Sequence, residues 1–262
     1  MVLSDCRFGL HHKDVFCVLL THQLRIRSPF GKWSERLLQK WNYKFINRFN
    51  ECWVPDFENK PGLAGELSHP EHLPAVPVKY IGGLSRFDAC VRDTQTMQYD
   101  LLIVLSGPEP QRSIFENILL NEVKFYKGRA ALVRGLPGAQ ENISCSNVEI
   151  FNHLPAKELC ALMISSPLII SRSGYTTVMD LIRLGKKSVL VPTPGQTEQE
   201  YLGRSLMQQQ LCVCVEQHQF SLEKALELAA GFEYADVSGF DMELYKSIIK
   251  AERGSLGSVR IY

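Results

Sequence analysis

The chain has 262 residues, a formal net charge of +1 and 45% hydrophobic residues, which allows one large domain or two small ones with an ample core. So balanced a charge gives no global field to select a nucleic-acid partner. No stretch approaches the ~20 apolar residues of a membrane span, and the N-terminus has no basic-then-apolar signal pattern.

Eight cysteines are scattered without a C-x-x-C pair, the usage of a reduced, cytoplasmic chain. Met1 to Ser4 reads as the end of a strand and Ser4 to Gly9 as the loop after it. Val15 to Leu20 is a second strand, followed at once by Thr21-His22-Gln23-Leu24-Arg25. His22 stands at a strand end, where imidazole serves as a general base or acceptor contact, or simply hydrogen-bonds within a turn. Arg25 and Arg27 either grip an anion or are solvated.

Phe30 to Phe49 is an amphipathic helix. Phe30, Trp33, Leu37, Trp41, Phe45 and Phe49 form one stripe, with Lys32, Arg36, Lys40, Lys44 and Arg48 beside it at every fourth position. Such a face either lies on an anionic membrane, giving peripheral contact through 30–49, or packs its aromatics on a sheet and solvates its cations. Glu51 to Asp56 reads as a strand, and Phe57 to Pro77 as a loop rich in proline, glycine and histidine. Tyr99 to Leu105, Ala130 to Val133 and Val148 to Phe151 are further strands, with a helix carrying Ile114, Phe115, Ile118, Leu119 and Val123 after the first.

The most informative stretch runs from Leu168 to Leu206. Leu168-Ile169-Ile170 is a short apolar run, the reading for a strand buried on both faces. Ser171 to Gly174 breaks it. Val178, Leu181 and Ile182 then recur at helical spacing, and Gly185 with Lys186 and Lys187 gives the stop. Val189 to Val191 is the next strand, Pro192 to Gln196 a loop, and Glu198 opens another helix. This alternation is the grammar of a parallel α/β sheet. Ser173, Gly174, Thr176 and Thr177 fall where the first helix begins, and free N–H groups and the helix dipole favour an anion there. Asp180 lies one turn further in, placed to accept hydrogen bonds from sugar hydroxyls. On spacing alone a helix N-capped by Ser or Thr, with no ligand, fits equally well. Ser221 caps a helix through Leu228, and Phe240 to Ala251 is the last.

Arg172-Ser173-Gly174-x-x-Thr177-Val178-x-Asp180, then Gly185-Lys186, Val191-Pro192 and Gln199-Glu200-Tyr201, resembles the donor half of the family 28 glycosyltransferases over roughly residues 100 to 216. The resemblance implies a GT-B-like α/β fold: a Rossmann-like parallel-sheet C-terminal domain at 81–262 that binds the donor, and a partial N-terminal α/β domain at 1–80 on the acceptor side. Residues 1–80 are expected to be the back half of a domain with a sheet face left uncovered, and the last helix to cross back onto it. Val78 to Gly83 resembles the crossing between the two domains.

By the same resemblance, Arg172, Ser173, Gly174, Tyr175, Thr176 and Thr177 bind the donor, with the diphosphate toward the helix mouth at Ser173 to Thr177, and Asp180, where the family has Glu, holds the ribose. Gln196, Gln199 and Glu200 follow the next strand, with Glu200 where the family has a second Gln. Ser106 and Gly107 belong to the first donor loop, stiffened here by Pro108 and Pro110. Arg134 contacts the diphosphate, and His153 and Leu154 wall the base. Read from its own position, Arg112 is either a phosphate contact or a solvated helix residue.

The implied reaction passes a sugar from a nucleotide sugar, most plausibly a uridine diphosphate sugar, to a glycan or lipid-linked acceptor with inversion. No D-x-D pair is present, so neither cofactor nor metal is expected. Two other functions remain open: a sugar-nucleotide hydrolase of the same fold, and a non-catalytic nucleotide-binding subunit completed by another polypeptide.

Overall fold

The computed structural model describes residues 1–87, 99–140, 143–145, 148–256 and 260–261. In chain order its elements are β1 (Val2–Asp5), β2 (Cys17–Leu20), α1 (Lys32–Ile46), β3 (Glu51–Val54), β4 (Val78–Tyr80), β5 (Leu101–Val104), α2 (Gln111–Val123), β6 (Ala130–Val133) and β7 (Val148–Phe151). Then follow α3 (Ala156–Ser165), β8 (Leu168–Ser171), α4 (Tyr175–Leu184), β9 (Lys187–Leu190), α5 (Thr197–Gln208), β10 (Val213–Cys214), α6 (Leu222–Gly231), α7 (Leu244–Leu256) and β11 (Arg260–Ile261). The strands form two wholly parallel sheets, ordered β11-β1-β2-β3-β4 and β10-β9-β8-β5-β6-β7. Among the described residues, no helix is long and apolar enough to cross a membrane.

The chain divides into unit 1, Met1–Leu84 with Gly239–Tyr262, and unit 2, Ser85–Ser238. Residues 239–262, counted from the sequence with the C-terminal domain, thus cluster with the first unit. The reason is apolar: Tyr245, Ile248 and Ile249 of α7 pack against Val18, Trp53 and Ile81. Lys79 fastens the same helix, its Nζ lying 2.9 Å from Glu51 and 2.8 Å from Glu252. Burial works against the Lys79 charge, but the two carboxylates outweigh it and raise its pKa.

The sheet of unit 1 obeys the period of two. Cys17, Leu19, Cys52 and Val54 point to one face, where they meet Leu24, Ile46 and Phe49, while Val18 and Trp53 point to the face held by α7. Both faces are covered, contrary to the expectation of a bare one. Helix α1 turns a polar edge to this sheet: Asn42 donates to the carbonyls of Gln23 (3.1 Å) and Leu24 (3.3 Å), and Gln39 donates to Leu24 (2.5 Å). Cys6, Cys17, Cys52, Cys145, Cys212 and Cys214 are free thiols.

Unit 2 is built around one core of short strand segments, among them Leu101, Ile103, Leu132, Ile170, Val189 and Val213, roofed by Phe115, Leu119, Phe220 and Leu222. Two capping expectations hold. Gly185 takes φ +61° after α4, with the Lys186 N–H donating to Leu181. Ser221 accepts from the Lys224 N–H at the start of α6.

After β3, Asp56 organises a long loop. It is fully buried and accepts from the N–H groups of Phe57 (2.8 Å), Leu63 (2.7 Å) and Ala64 (2.9 Å) and from the Ser68 hydroxyl (2.5 Å). Asp56→Ala would strand buried donors at ~1–3 kcal/mol each, so we expect unit 1 to lose roughly 3 kcal/mol. Trp33, Trp41 and Trp53 all belong to unit 1, so urea unfolding followed by tryptophan emission measures it. An unchanged midpoint would show that the loop is held by other contacts.

Candidate functional site

Counted from its own first strand, the sheet of unit 2 has the order 3-2-1-4-5-6, which reverses direction between β5 and β8. Ligands of open α/β sheets bind outside the carboxyl ends of the strands at such a switch point. Gly107 (φ +105°) lies in the loop after β5, where a Cβ would stand 3.8 Å from the Thr193 hydroxyl in the loop after β9. Ser106 beside it is exposed. Thr193 is 2% exposed, and its hydroxyl has no hydrogen-bond partner among the described residues.

Arg172 fastens three of these segments. Its guanidinium donates to the carbonyls of Val191 (3.2 Å), Pro192 (3.2 Å) and Gln111 (2.8 Å) and lies 4.4 Å from the Phe115 ring centroid. Burial lowers its pKa to about 10. The expectation that the Arg172 side chain binds the donor is therefore corrected, because it is buried and turned to the backbone. Ser173 is buried as well, and its hydroxyl donates to the Gln199 carbonyl (2.8 Å), bringing the starts of α4 and α5 together.

The helix starts in this unit are not equivalent. Helix α2 has Glu109, which accepts from the Ser113 N–H at 3.1 Å. Hydrogen bonds from Ser113 and Arg112 hold the pKa of Glu109 below the usual carboxylate range. Helix α3 has Glu158 in its first turn, α5 has Glu198 and Glu200, and α6 has Glu223 and the Ser221 cap. Helix α4 has neither an acidic residue in its first turn nor a side-chain cap. A Cβ on Gly174, its first flanking residue, would meet nothing within 4 Å. Tyr175 is buried, Thr176 exposed and Thr177 half-buried. Among the described residues, α4 is thus the one of the five whose positive end meets no acidic side chain and no side-chain cap.

The loop after β9 is held by its own polar groups. Gln199 accepts from the Thr193 N–H (3.0 Å) and donates to Gln196 (2.6 Å), while Glu200 accepts from the Gly195 N–H (2.9 Å). His153 is exposed and Leu154 half-buried after β7. Arg134 is buried and donates to Glu116 (2.5 Å) and Asn152 (2.7 Å), and Arg112 donates to Glu109 (2.6 Å) with Glu116 at 3.2 Å. The expected diphosphate contacts by Arg134 and Arg112 are thus corrected: both guanidinium groups are tied to carboxylates beneath the loops.

Asp180 is buried on α4, and both of its oxygens are engaged within the unit. It accepts from the Ser85 hydroxyl (2.7 Å), the Arg86 N–H (3.3 Å) and the Arg86 Nε (2.8 Å). Burial raises its pKa, and the hydrogen bond from Ser85 and the charge of Arg86 only partly offset this. The carboxylate therefore does not stand open to a sugar hydroxyl as expected. The group presented outward is Arg86, whose side chain is 54% exposed.

Residues 136–231 match the glycosyltransferase family 28 C-terminal domain. That stretch is the donor half seen in the motif. The chain is 41% identical over 58 residues to the UDP-N-acetylglucosamine–N-acetylmuramyl-(pentapeptide) pyrophosphoryl-undecaprenol N-acetylglucosamine transferase of Rhodopseudomonas palustris, 22% of this chain and 14% of that protein. The transferase of the same name from Methylobacterium radiotolerans is 37% identical over 79 residues, 29% of this chain and 21% of that protein. The matched segments are thus a small part of these relatives' own length.

Among solved structures, the glycosyltransferase of kitacinnamycin superposes with a TM-score of 0.61 at 13% identity, covering 90% of this chain and 70% of that one. A Staphylococcus aureus MnaA–UDP complex gives 0.60 at 12%, covering 92% and 68%. These likenesses confirm the α/β GT-B fold and nothing finer. Ser106, Gly107, Arg134 and Arg86 lie outside the residues matched to the family 28 domain.

In unit 1, His22 is half-buried just past the end of β2. Arg25 and Arg27 each donate to Glu66 at 2.6 Å, with Glu35 beside them, so their charges are balanced locally.

Arg86 is the residue sequence reasoning missed, because its partner Asp180 is 94 positions away. The tie made by Arg172 generates a test. Lysine supplies one point charge where the planar fork serves three carbonyls, so Arg172→Lys should cost unit 2 roughly 2 kcal/mol. Hydrogen exchange at Ser173 to Thr193 is the measurement. Unaltered protection there would refute the bracing role.

Proposed function

We propose that this chain transfers a sugar from a uridine diphosphate sugar to an acceptor hydroxyl, with inversion and without a metal ion. The observation that carries the reading is the bare amino end of α4 at the switch point, next to open space at Gly174. The diphosphate sits against the N–H groups of Thr176 and Thr177, and these fixed dipoles stabilise the charge that grows as the glycosidic bond breaks. A metal would duplicate that role. Gly107 and the Thr193 hydroxyl, which has no hydrogen-bond partner among the described residues, lie in the loops after β5 and β9, and Arg86 supplies the exposed cation. His153 and Leu154 wall the base, and Gln196, Gln199 and Glu200 shape the loop over the sugar. The relatives' names specify an undecaprenol-linked acceptor, and we propose a lipid-linked acceptor met at a membrane surface here too.

Gly174 separates binding from folding. Its φ of −69° suits any residue and a Cβ there finds empty space, so Gly174→Val should leave the melting temperature unchanged. Uridine diphosphate affinity, measured by calorimetry, should fall at least about tenfold, because the side chain fills the anion's place. Equal affinity in the variant would move the diphosphate elsewhere.

The reaction itself is tested with a panel of sugar nucleotides, with and without lipid-linked acceptor, in excess chelator. Product only with acceptor supports transfer. Stoichiometric release of free sugar without acceptor would instead establish a hydrolase, and loss of turnover with chelator would refute metal independence.

A further inference from the structure

Asp180 and Arg86 meet within unit 2, just below the amino end of α4. Thr176 and Thr177 precede Asp180 by four and three residues, so all three share one face of the helix. A helical side chain leans toward the amino end of its helix, which carries the Asp180 carboxylate toward the turn of Thr176 and Thr177, one pitch of about 5.4 Å above. Arg86 meets that carboxylate from outside. Its Nε donates at 2.8 Å and its backbone N–H at 3.3 Å, while the Ser85 hydroxyl donates at 2.7 Å. The ion pair thus stands about one turn from the open space at Gly174.

The two partners are unequally held. The Asp180 side chain is 3% exposed and that of Arg86 54%, so the carboxylate is fixed in the fold while the guanidinium keeps an edge in water. Among the described residues, the terminal nitrogens of Arg86 make no hydrogen bond, which leaves the rest of its fork for a second anion. Phe87 anchors the root of this arm: it is buried, its ring lies 4.8 Å from the guanidinium carbon, and its N–H donates to the Ser85 hydroxyl at 3.1 Å. A swing of Arg86 therefore needs a change of rotamer and no movement of the helix. An ion pair with one partner half in water shifts an equilibrium by at most about fivefold. A diphosphate carries more charge than one carboxylate and takes both terminal nitrogens at once.

We infer that the Arg86–Asp180 pair is an autoinhibitory latch, in which Asp180 withholds the guanidinium from the anion place at α4 until a diphosphate draws it away. The inference rests on the sugar-transfer reading for what occupies that place, and adds to it a regulation of the same site. Asp180 acts as an internal competitor, and the affinity for a free anion falls by the fraction of time that Arg86 is held.

The full chain is titrated with inorganic pyrophosphate by calorimetry, as the parent, Asp180→Asn, Arg86→Met and the double variant. Asp180→Asn keeps the shape of the side chain and removes its charge, and it should bind pyrophosphate about fivefold more tightly than the parent. Arg86→Met should bind it more weakly. A carboxylate also repels a nearby anion directly, and the double variant separates the two causes. The latch requires the gain from Asp180→Asn to vanish once Arg86 is replaced. The same gain in the Arg86→Met background would show plain repulsion and overturn the inference, as would no binding by the parent and Asp180→Asn alike. A crystal structure of the parent with pyrophosphate gives a second reading that does not depend on the folding of any variant. Arg86 should have turned from Asp180 to the anion, and an Arg86 still paired with Asp180 beside a bound anion would overturn the latch. Gly174→Val separates the two readings. If it leaves pyrophosphate binding unchanged, the anion place at α4 is wrong and both readings fall; if it abolishes binding while the other variants show no coupling, the latch alone falls.

Discussion

The site depends on a buried cation, Arg172, that has no carboxylate partner among the described residues. Arg172 follows β8 directly, and its guanidinium is satisfied by carbonyls of the loop after β9 and of Gln111 at the start of α2. Taking a guanidinium from water is costly, and the lowered pKa expresses that cost. The cost is met because one planar group joins three segments that secondary structure does not join. With the loops fixed from beneath, the chain rises into Ser173 and Gly174 and starts α4 with its amino end uncovered. A carboxylate placed on Arg172 would leave the carbonyls unserved and the loops independent.

The helix ends of unit 2 follow a division of charge. Acidic side chains stand at the starts of α2, α3, α5 and α6, where each lies near the positive end of a helix dipole. Withholding one from α4 sacrifices a few tenths to about one kcal/mol of helix stability, which the tight packing of Val178, Leu181 and Ile182 offsets. The pairing of Arg112 with Glu109 and of Arg134 with Glu116, which also lies 3.2 Å from Arg112, belongs to the same scheme. The two carboxylates balance two cations below the loops, which leaves Arg86 as the more exposed guanidinium.

This division explains what could be read from the sequence. Short runs such as Ala130–Val133, Val148–Phe151 and Leu168–Ser171 are strands in the fold as in the sequence, because apolar residues between polar breaks have few other uses. The start of α4 was equally legible from Ser173 and Gly174. The orientation of α1 was not, since its inner edge uses Gln39 and Asn42 as hydrogen-bond donors to Leu24 and Gln23, which hydropathy scores as solvent-facing. Arg134 and Asp180 failed for a related reason. A sequence displays a charge but not its partner, and Glu116 and Arg86 are brought to them only by tertiary folding.

The short Gly82-Gly83 step shows how far a local sequence signal can carry a tertiary demand. Gly82 takes φ +76°, and a Cβ on it would fall 2.6 Å from the Asp241 carbonyl oxygen; one on Gly83 would fall 2.3 Å from the Met242 sulfur. Within unit 1 the outgoing segment and the returning one therefore pass closer than any side chain allows. Two residues later Ser85 and Arg86 begin unit 2 by binding Asp180 of α4. The entry of the chain into its second unit is thus latched to the helix whose amino end is left open. On the proposed reading, an anion that draws on Arg86 competes with Asp180 for the same guanidinium, which links occupancy of the crevice to the Ser85–Arg86 contacts with Asp180.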